Sequence, residues 1–344
     1  MTKIVEKYFE KNDFKNRVED ILKIVCDKTH FEPEKVIFRG MIYDEDKLGS
    51  VIYKGIYKNK DAVLKLQGLR PETDEIDIIA SFKHDVKSNK IRLPKLFEAS
   101  HWNEKDNYGY LITEYITAPH IFEMPFATDT QMARFSEFYQ EYRTSIVQPF
   151  IQKSEDEKVA ADFVLRRISM WDKIAAAKGL LPKRLSNKKV NQIIERFKKI
   201  QSAELKNVKM VFSHGHLTAN DIYDNGSEFI LLSNLYWSYR PELYDLVFGL
   251  HWCLENIQDN NYTFEEYLAY IDKWLTHFYE IPFVKNDHDA KRKINLMLLE
   301  RTMGGILLDT GSQAEDNKFA NHLLKLQTEF FDLLGTKIEN KDYL

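Results

Sequence analysis

Apolar residues follow two different patterns along the chain. Between Ile4 and Asp27 they recur at mixed three- and four-residue steps, which predicts one or two amphipathic helices. From Lys35 onwards they fall instead into short β-branched and aromatic segments separated by Gly, Asn, Asp and Lys. These segments, KVIFRGMIY, SVIYKGIY, DAVLKLQ, IRLPKLFEAS and YGYLITEYI, predict five strands.

Two local signals order the strands. The residues Lys58–Asp61 separate two apolar arms and predict a hairpin turn between the second and third strands. Between the third and fourth strands, Pro71 and several acidic residues precede Ile76 and Ile79, which lie at helical spacing. The predicted order of elements is therefore β-β-β-α-β-β.

Beyond about Ala118 the chain becomes mostly helical. The apolar spacing predicts seven helices, Gln131–Lys153, Glu157–Lys178, Lys188–Glu204, Pro241–Ile257, Thr263–Tyr279, Asp289–Leu308 and Asp316–Leu334. One interruption is β-like, because short apolar runs at Ile222–Tyr223 and Phe229–Leu232 flank the turn sequence Asp224–Asn225–Gly226. We predict a helical extension over residues 1–34, a β-rich lobe over 35–116 and a helical lobe over 117–344.

Composition narrows the classes of function. The 344 residues are 44% hydrophobic and 13% aromatic, which is enough for a packed interior. The net charge is −4 and neither sign forms a long block, so we expect neither a nucleic acid nor a membrane surface as partner. Cys26 and Cys253 lack metal-ligand spacing, and the N-terminal segment lacks the apolar stretch of an export signal, so we expect a cytoplasmic protein.

The segment VFSHGHLTANDIYDNG, Val211–Gly226, carries the most specific signal. Its residues His214–Leu217, together with the downstream Tyr244–Leu246, resemble the catalytic loop and the Y-D-L motif of the aminoglycoside phosphotransferase and choline kinase-like family. The resemblance covers about residues 35 to 310 and rests also on the order of the elements. It implies an α+β, bilobed protein-kinase-like fold, with a small lobe of five antiparallel strands and one helix and a large, mainly helical lobe.

The resemblance implies a nucleotide site in the small lobe. Lys65 is similar to the strand lysine that pairs with nucleotide phosphates, and Glu75 is similar to the helix glutamate that orients this lysine. Glu72 is the alternative to Glu75, because the register of a predicted helix is uncertain by a few residues. The expected cofactor is ATP or another nucleotide.

A second part of the implied nucleotide site is the strand YLITEYI. Glu114, Tyr115 and Ile116 resemble the segment that enters the hinge between lobes, where backbone groups receive an adenine. The alternative is a buried edge strand whose Glu114 reaches solvent. The glycines at the expected phosphate loop, Gly40, Gly49 and Gly55, lack the G-x-G-x-x-G spacing, so no backbone amide can be assigned to a phosphate.

The catalytic loop departs from the family pattern at its central position. The family carries an aspartate that orients the attacking hydroxyl, and this chain carries His216. An imidazole is able to act as a base near neutral pH, but it lacks the negative charge of a carboxylate. His214 and Asp245 match family positions that structure the loop.

The expected magnesium ligands are altered as well. Asp221 replaces a family asparagine and remains a competent oxygen ligand, so Mg²⁺ binding through Asp221 is a prediction. Ser233, with Asn234 beside it, stands where the resemblance implies a second metal-binding aspartate. A neutral hydroxyl attracts a divalent ion far less than a carboxylate does. This ion bridges the phosphates during transfer, so the change at position 233 would weaken catalysis.

Two classes of function remain open. The first is a pseudokinase that binds a nucleotide or another small ligand in the cleft between the lobes, transfers no phosphate and has a protein partner as a further option. The second is an ATP- and Mg²⁺-dependent small-molecule phosphotransferase in which Asp221 binds the metal and His216 orients the acceptor hydroxyl. The loss of carboxylates at both 216 and 233 favours the first class.

Two alternative sites follow from the histidines. His214 and His216 allow a zinc site completed by His251 or His277, but alternate residues of an extended segment point in opposite directions. Cys253 lies two residues beyond His251, and a helix would turn these side chains apart. We therefore expect Cys253 to be a small buried hydrophobic residue.

The sequence leaves the acceptor open. Trp237, Tyr239 and Arg240 follow the altered metal position and either line a ligand site, plug the cleft or pack against the loop. We expect the region Phe122–Lys178 to contact an acceptor, and it mixes both signs of charge: Glu123, Asp129, Glu137 and Glu141 with Arg134, Arg143, Arg166 and Arg167. This mixture does not predict an acidic floor for a polycationic drug.

Overall fold

The computed structural model describes residues 14–41, 48–151, 159–179 and 181–344. The chain divides into two compact units. The first unit comprises Met1–Pro119, Phe150–Lys153 and Asn225–Leu235, and the second comprises His120–Pro149, Ser154–Asp224 and Tyr236–Leu344. Three parts of the sequence prediction lie outside the described residues. They are the helix positions before Phe14, part of the segment between Gly40 and Gly49, and the junction of the first two helices predicted for the large lobe.

A five-stranded antiparallel sheet forms the centre of the first unit. Its strands, labelled in chain order, are β1 (Glu32–Met41), β2 (Leu48–Tyr57), β3 (Lys60–Gln67), β5 (Leu96–Asn103) and β6 (Tyr108–Glu114), and they lie in the order β1-β2-β3-β6-β5. Lys58 and Asn59 form the predicted hairpin turn with φ of 49° and 62°. This left-handed pair matches the twist of the two flanking strands. The predicted sheet is confirmed.

Two helices of the first unit accompany the sheet. Helix α1 (Phe14–Thr29) buries Phe14, Val18, Ile21 and Val25 in one core with residues of β2, β3 and β6. Helix α2 (Glu75–Asp85) begins after Asp74, whose side chain accepts a hydrogen bond from the Ile76 backbone N–H. Glu72 therefore precedes the helix.

The predicted strand IRLPKLFEAS is wrong in one respect, because the structure divides it in two. Ile91–Arg92 forms the short strand β4, which pairs in parallel with β9 (Phe229–Leu231) rather than with the main sheet. Strand β5 begins only at Leu96. Pro94 lies between them, and a proline lacks the N–H that a continuous strand would need.

The second unit is mainly helical, as predicted. Its helices are α3 (Asp129–Ser145), α4 (Ala160–Lys178), α5 (Asn187–Glu204), α6 (Tyr244–Glu255), α7 (Phe264–Glu280), α8 (Pro282–Lys285), α9 (Ala290–Gly304) and α10 (Lys318–Glu339). Its strands are β7 (Met210–Ser213), β8 (Ile222–Asp224) and β10 (Ser238–Pro241). None of the described helices of either unit is long and apolar enough to cross a membrane.

Three boundaries in the second unit differ from the sequence prediction. Helix α3 ends at Ser145 rather than at residue 153. Pro241 lies in β10, which pairs antiparallel with β7, and α6 begins only after Leu243 has reversed the chain with a φ of 67°. The predicted helix Asp289–Leu308 changes at Gly304 into a π-helical turn, Gly305–Asp309. The α+β class of the fold is nevertheless confirmed.

Candidate functional site

The loop His214–Asp221 is carried by the small sheet of the second unit. Strand β7 leads into it, and the 3₁₀ turn Ala219–Asp221 connects it to β8. Gly215 has a φ of 78°, a left-handed conformation that favours glycine. A Cβ atom at this position would also lie 2.9 Å from Nε of Arg240. Both the backbone conformation and the close approach of Arg240 therefore require glycine at position 215, between the two histidines.

Two buried side chains hold the start of this loop. Asp245, at the beginning of α6, accepts hydrogen bonds from the Gly215 backbone N–H at 2.8 Å and from the Tyr142 hydroxyl at 2.7 Å. The same hydroxyl accepts a hydrogen bond from the His214 backbone N–H at 2.7 Å. Burial and the charge of Asp245 raise the pKa of Tyr142, so this hydroxyl keeps its proton and remains a donor. Tyr142 lies within a predicted helix, but nothing in the sequence pointed to this contact.

The aromatic residues around His214 pack rather than line an open site. The buried His214 ring meets Trp237 edge-on with centroids 5.0 Å apart, and Trp237 stacks on Phe212 at 5.6 Å. Trp237 is fully buried. Of the three fates that the sequence left open for this residue, the structure therefore supports packing against the loop.

His216 is bonded to a carboxylate of its own loop. Its Nδ1 lies 2.9 Å from Oδ2 of Asp221. The same oxygen accepts hydrogen bonds from the Thr218 backbone N–H at 3.1 Å and from the Thr218 hydroxyl at 2.7 Å. Because an ionised carboxylate only accepts, Nδ1 carries the hydrogen of this contact, and in the neutral form of the ring the lone pair would be on Nε2.

The exposed side of the imidazole has aromatic neighbours. His216 stacks on Tyr236 with ring centroids 4.5 Å apart and lies 5.1 Å from Phe248. About a third of its side chain, 30%, is exposed to solvent. Phe248 belongs to α6, one turn beyond Asp245, and the sequence did not identify it. The ring is thus oriented on one edge by Asp221 and accessible on another.

His120 is a further neighbour of Asp221 that the sequence did not identify. The pKa of His120 is lowered by burial, against which a hydrogen bond to the Ala219 backbone and the charge of Asp221 act. Its ring lies 4.4 Å from that of Tyr223. Asp221 is therefore influenced by two imidazoles as well as by Thr218.

The first unit brings Lys65 and Glu75 together. Leu64 and Leu66 are buried in the core, so the alternation of β3 directs Lys65 to the opposite face of the sheet. Its Nζ lies 2.5 Å from Oε2 of Glu75, and the two side chains are 18% and 8% exposed. This contact favours Glu75 over Glu72 as the partner of the lysine.

The segment after β6 differs from the edge-strand alternative. Strand β6 lies between β3 and β5, and Glu114 does not reach solvent freely, because it is bonded to the Arg92 guanidinium and to the Lys95 backbone N–H. The backbone N–H groups of Glu114 and Tyr115 donate to the carbonyls of Lys95 and Asp61. Donation to an adenine by these two groups would require these bonds to open, so Ile116 is the remaining amide of the predicted trio.

The expected metal ligands offer a poor donor set. Asp221 supplies one carboxylate, and its Oδ2 already accepts three hydrogen bonds. Ser233 is a neutral hydroxyl on a backbone with a φ of 57°, and Asn234 is buried with its amide nitrogen 3.3 Å from the Leu231 carbonyl. Mg²⁺ prefers carboxylates and phosphate oxygens in octahedral geometry. These residues do not fit the two-carboxylate magnesium site that the resemblance implies.

The histidines do not assemble the zinc site that the sequence allowed. His251 lies 3.1 Å from Asp309 and 3.7 Å from Glu255, while His277 lies 3.3 Å from Asp129. Cys253 is fully buried, and burial raises the pKa of its thiol to about 12, as expected for an inert residue.

Comparison with known proteins supports the fold. No family model and no curated protein matches this chain. A thermostable mutant of the aminoglycoside phosphotransferase APH(4)-Ia in a ternary complex with AMP-PNP and hygromycin B is similar, with a TM-score of 0.58, 11% identity and coverage of 92% of this chain and 98% of that chain. An amicoumacin kinase in complex with AMP-PNP, Ca²⁺ and Ami has a TM-score of 0.53 and 14% identity, covering 100% of this chain and 97% of that one. A putative fructosamine-3-kinase from Haemophilus somnus has a TM-score of 0.52 and 12% identity, covering 92% and 96%.

These similarities confirm the predicted kinase-like fold of small-molecule phosphotransferases. The nucleotides and the calcium ion in their descriptions belong to those proteins. At identities of 14% or less, the likeness concerns the fold alone.

Proposed function

We propose that this protein binds a nucleotide through Lys65 and Glu75 and does not transfer its phosphate. The observation that carries this proposal is the triple hydrogen bonding of one Asp221 oxygen by His216 and Thr218. The loop carboxylate is thereby used to hold the loop itself. In this proposal the kinase-like fold serves to bind a ligand. A protein partner that recognises the ligand-bound form is part of the proposal.

The electrostatics of phosphoryl transfer support this proposal. Transfer depends on positioning and on metal ions that neutralise the charge on the phosphates. A lost base costs about 10²- to 10⁴-fold in rate, and the loss of metal contacts adds several kcal/mol to the barrier. His216 and Ser233 stand where the resemblance implies these two carboxylates. Lys65 and Glu75, which need neither of them, remain paired.

The nucleotide proposal is tested by calorimetric titration of AMP-PNP. Lys65→Met is expected to weaken binding about tenfold or more, because one charge-assisted contact to phosphate is lost. Lys60→Met is the matched control, since Lys60 lies on the same strand and is exposed. Equal affinities for wild type and Lys65→Met would exclude this site.

A phosphotransferase is the second candidate, and the His216–Asp221 contact favours it. A carboxylate that fixes the tautomer and direction of an imidazole is the arrangement of a general base, and Nε2 of His216 would accept the proton of an acceptor hydroxyl. A hydroxyl-containing small molecule is the proposed acceptor class.

Turnover separates the two candidates. ATP consumption with a panel of hydroxylated acceptors is measured for wild type, Asp221→Asn and Asp224→Asn, the last as a control on a neighbouring carboxylate. The second candidate predicts turnover that Asp221→Asn lowers about 10²-fold or more. The first candidate predicts turnover at the background level in all three proteins.

A further inference from the structure

Arg240, on β10, carries a charge that has only neutral hydrogen-bond acceptors. Its Nη1 donates to the Ser238 hydroxyl and to the Tyr239 carbonyl at 2.9 Å, and its Nη2 donates to the Tyr236 carbonyl at 3.3 Å. Its Nε is buried and has no hydrogen-bond partner in the described chain. No carboxylate of the described residues lies within ion-pair distance of it. A cation in this setting gains from an added anion.

A second guanidinium lies on the same aromatic ring. Arg240 and Arg167 contact the Phe163 ring with their charged carbons 5.1 Å and 5.2 Å from its centroid. Burial lowers the pKa of Arg240, and the charges of Arg167 and Arg166 lower it further, while Tyr244 and Asp245 oppose them. The positive charges are therefore close enough to repel one another.

The nearby carboxylates are already engaged. Glu300 is fully buried and bonded by Arg301 through two contacts of 2.6 Å and 3.0 Å. Arg167 reaches the same carboxylate only at 3.5 Å and otherwise donates to the Tyr244 hydroxyl at 2.6 Å. The two carboxylate oxygens of Asp245 accept hydrogen bonds from the Gly215 backbone N–H and from the Tyr142 hydroxyl. The local balance is in favour of positive charge.

This basic pair adjoins the accessible part of the loop. Tyr236 connects the two, since its carbonyl accepts from Arg240 and its ring stacks on His216. Tyr236 is 44% exposed, and the Arg167 side chain is 16% exposed. Arg240 therefore contacts a residue that stacks on His216, and Arg167 shares the Phe163 ring with Arg240.

We propose that Arg240 and Arg167 form an anion-binding site that takes a carboxylate or phosphate group of the small-molecule ligand at His216. This inference rests on the second candidate function, which places a hydroxyl-containing small molecule at His216. It names the ligand class as a hydroxylated anion rather than a polyamine. A polycationic amino sugar would meet like charge at this position.

The test uses inorganic phosphate as the probe and Lys65→Met as the background, so that the nucleotide site does not contribute. Calorimetric titration and thermal melting are followed in phosphate and in potassium chloride of equal ionic strength. We expect phosphate to bind Lys65→Met and to raise its melting temperature, and Arg240→Gln in this background to weaken binding about tenfold or more. Arg196→Gln is the control, because Arg196 lies on α5 with its own carboxylate partners.

Three outcomes would overturn the inference: no phosphate-specific binding, equal binding with Arg240→Gln, or loss of binding in the Arg196→Gln control. If Arg240→Gln does not fold, Arg167→Gln provides the test, since it removes the other charge of the pair and is expected to weaken phosphate binding about tenfold, and unchanged binding would contradict the inference. Glycerol 3-phosphate then distinguishes a ligand group from a free anion. Tighter binding of glycerol 3-phosphate than of phosphate supports the ligand assignment, and equal binding contradicts it. Nucleotide binding by the wild-type protein is measured separately, so the two proposals fail independently.

Discussion

Replacing Tyr142 by phenylalanine removes one oxygen atom and tests how the loop is held. The hydroxyl donates to Asp245 and accepts from the His214 backbone N–H, both at 2.7 Å. Tyr142 is fully buried, so water does not replace either contact. The ring itself stays, and no large cavity is expected.

The loss of stability follows from the two groups that lose a hydrogen-bond partner, the His214 backbone N–H and the Asp245 carboxylate. A buried N–H without a partner costs about 1 to 3 kcal/mol, and a carboxylate that loses a donor costs a similar amount or more. Asp245 keeps its bond from Gly215, which limits the second contribution. We expect Tyr142→Phe to reduce the free energy of unfolding by about 2 to 5 kcal/mol. For a unit of this size the melting temperature would fall by about 5 to 15 °C.

Differential scanning calorimetry of wild type, Tyr142→Phe and Tyr139→Phe measures this effect. Tyr139 is the matched control, because it lies on the same helix, is equally buried, and its hydroxyl has no hydrogen bond to any described residue. We expect Tyr139→Phe to change the melting temperature little. Equal shifts for the two variants would refute the reasoning that Tyr142 and Asp245 fix the loop.

The remaining predictions concern the supporting structure. Gly305→Ala should destabilise the second unit by about 2 kcal/mol in thermal melts, because its Cβ would overlap Oε1 of Glu255 and lie 2.6 Å from Nε2 of Gln327, two buried side chains that are hydrogen-bonded to each other. Burial raises the pKa of Glu255 from 4.5 to about 7. Its contribution to stability is therefore complete below pH 4.5 and declines as the pH rises through 7, and urea titrations across this range should show a flatter pH dependence for Glu255→Gln. Phe14→Ala should cost the first unit about 3 to 5 kcal/mol, measured by the urea midpoint, because its ring is fully buried; an unchanged midpoint would mean that α1 does not brace the sheet.

The fold was predictable where periodicity was strong. The alternation of β2 and β3 around a Lys58–Asn59 turn, and the amphipathic pattern of the long helices, determine structure through burial of one face. Strands β7 and β10 were not predicted, because each has only four residues. In addition, β10 ends at Pro241, and a proline in the sequence is typical of the start of a helix. Such short strands are defined by the partner with which they pair, and this partner is distant in the sequence.

The candidate site was predictable only in part. Local motifs located His214, His216 and Asp221, but the role of Asp221 depends on which groups surround it. The hydrogen bonds from Thr218 and His216 turn the predicted metal ligand into a support for the loop. Tyr142 belongs to a helix about seventy residues earlier in the chain, and no local pattern links it to the loop. Nucleotide binding by Lys65 and Glu75 and metal binding by Asp221 were assigned from the sequence and stay predictions.

The central claim is nucleotide binding without a metal-dependent transfer site. The most direct measurement is calorimetric titration of ATP into the wild-type protein with and without Mg²⁺, followed by analysis of the mixture for ADP. We predict binding of similar affinity in both conditions and no ADP above background, because Asp221 is engaged and Ser233 is neutral. Binding that requires Mg²⁺, together with ADP formation, would contradict the claim and favour a working phosphotransferase built around His216.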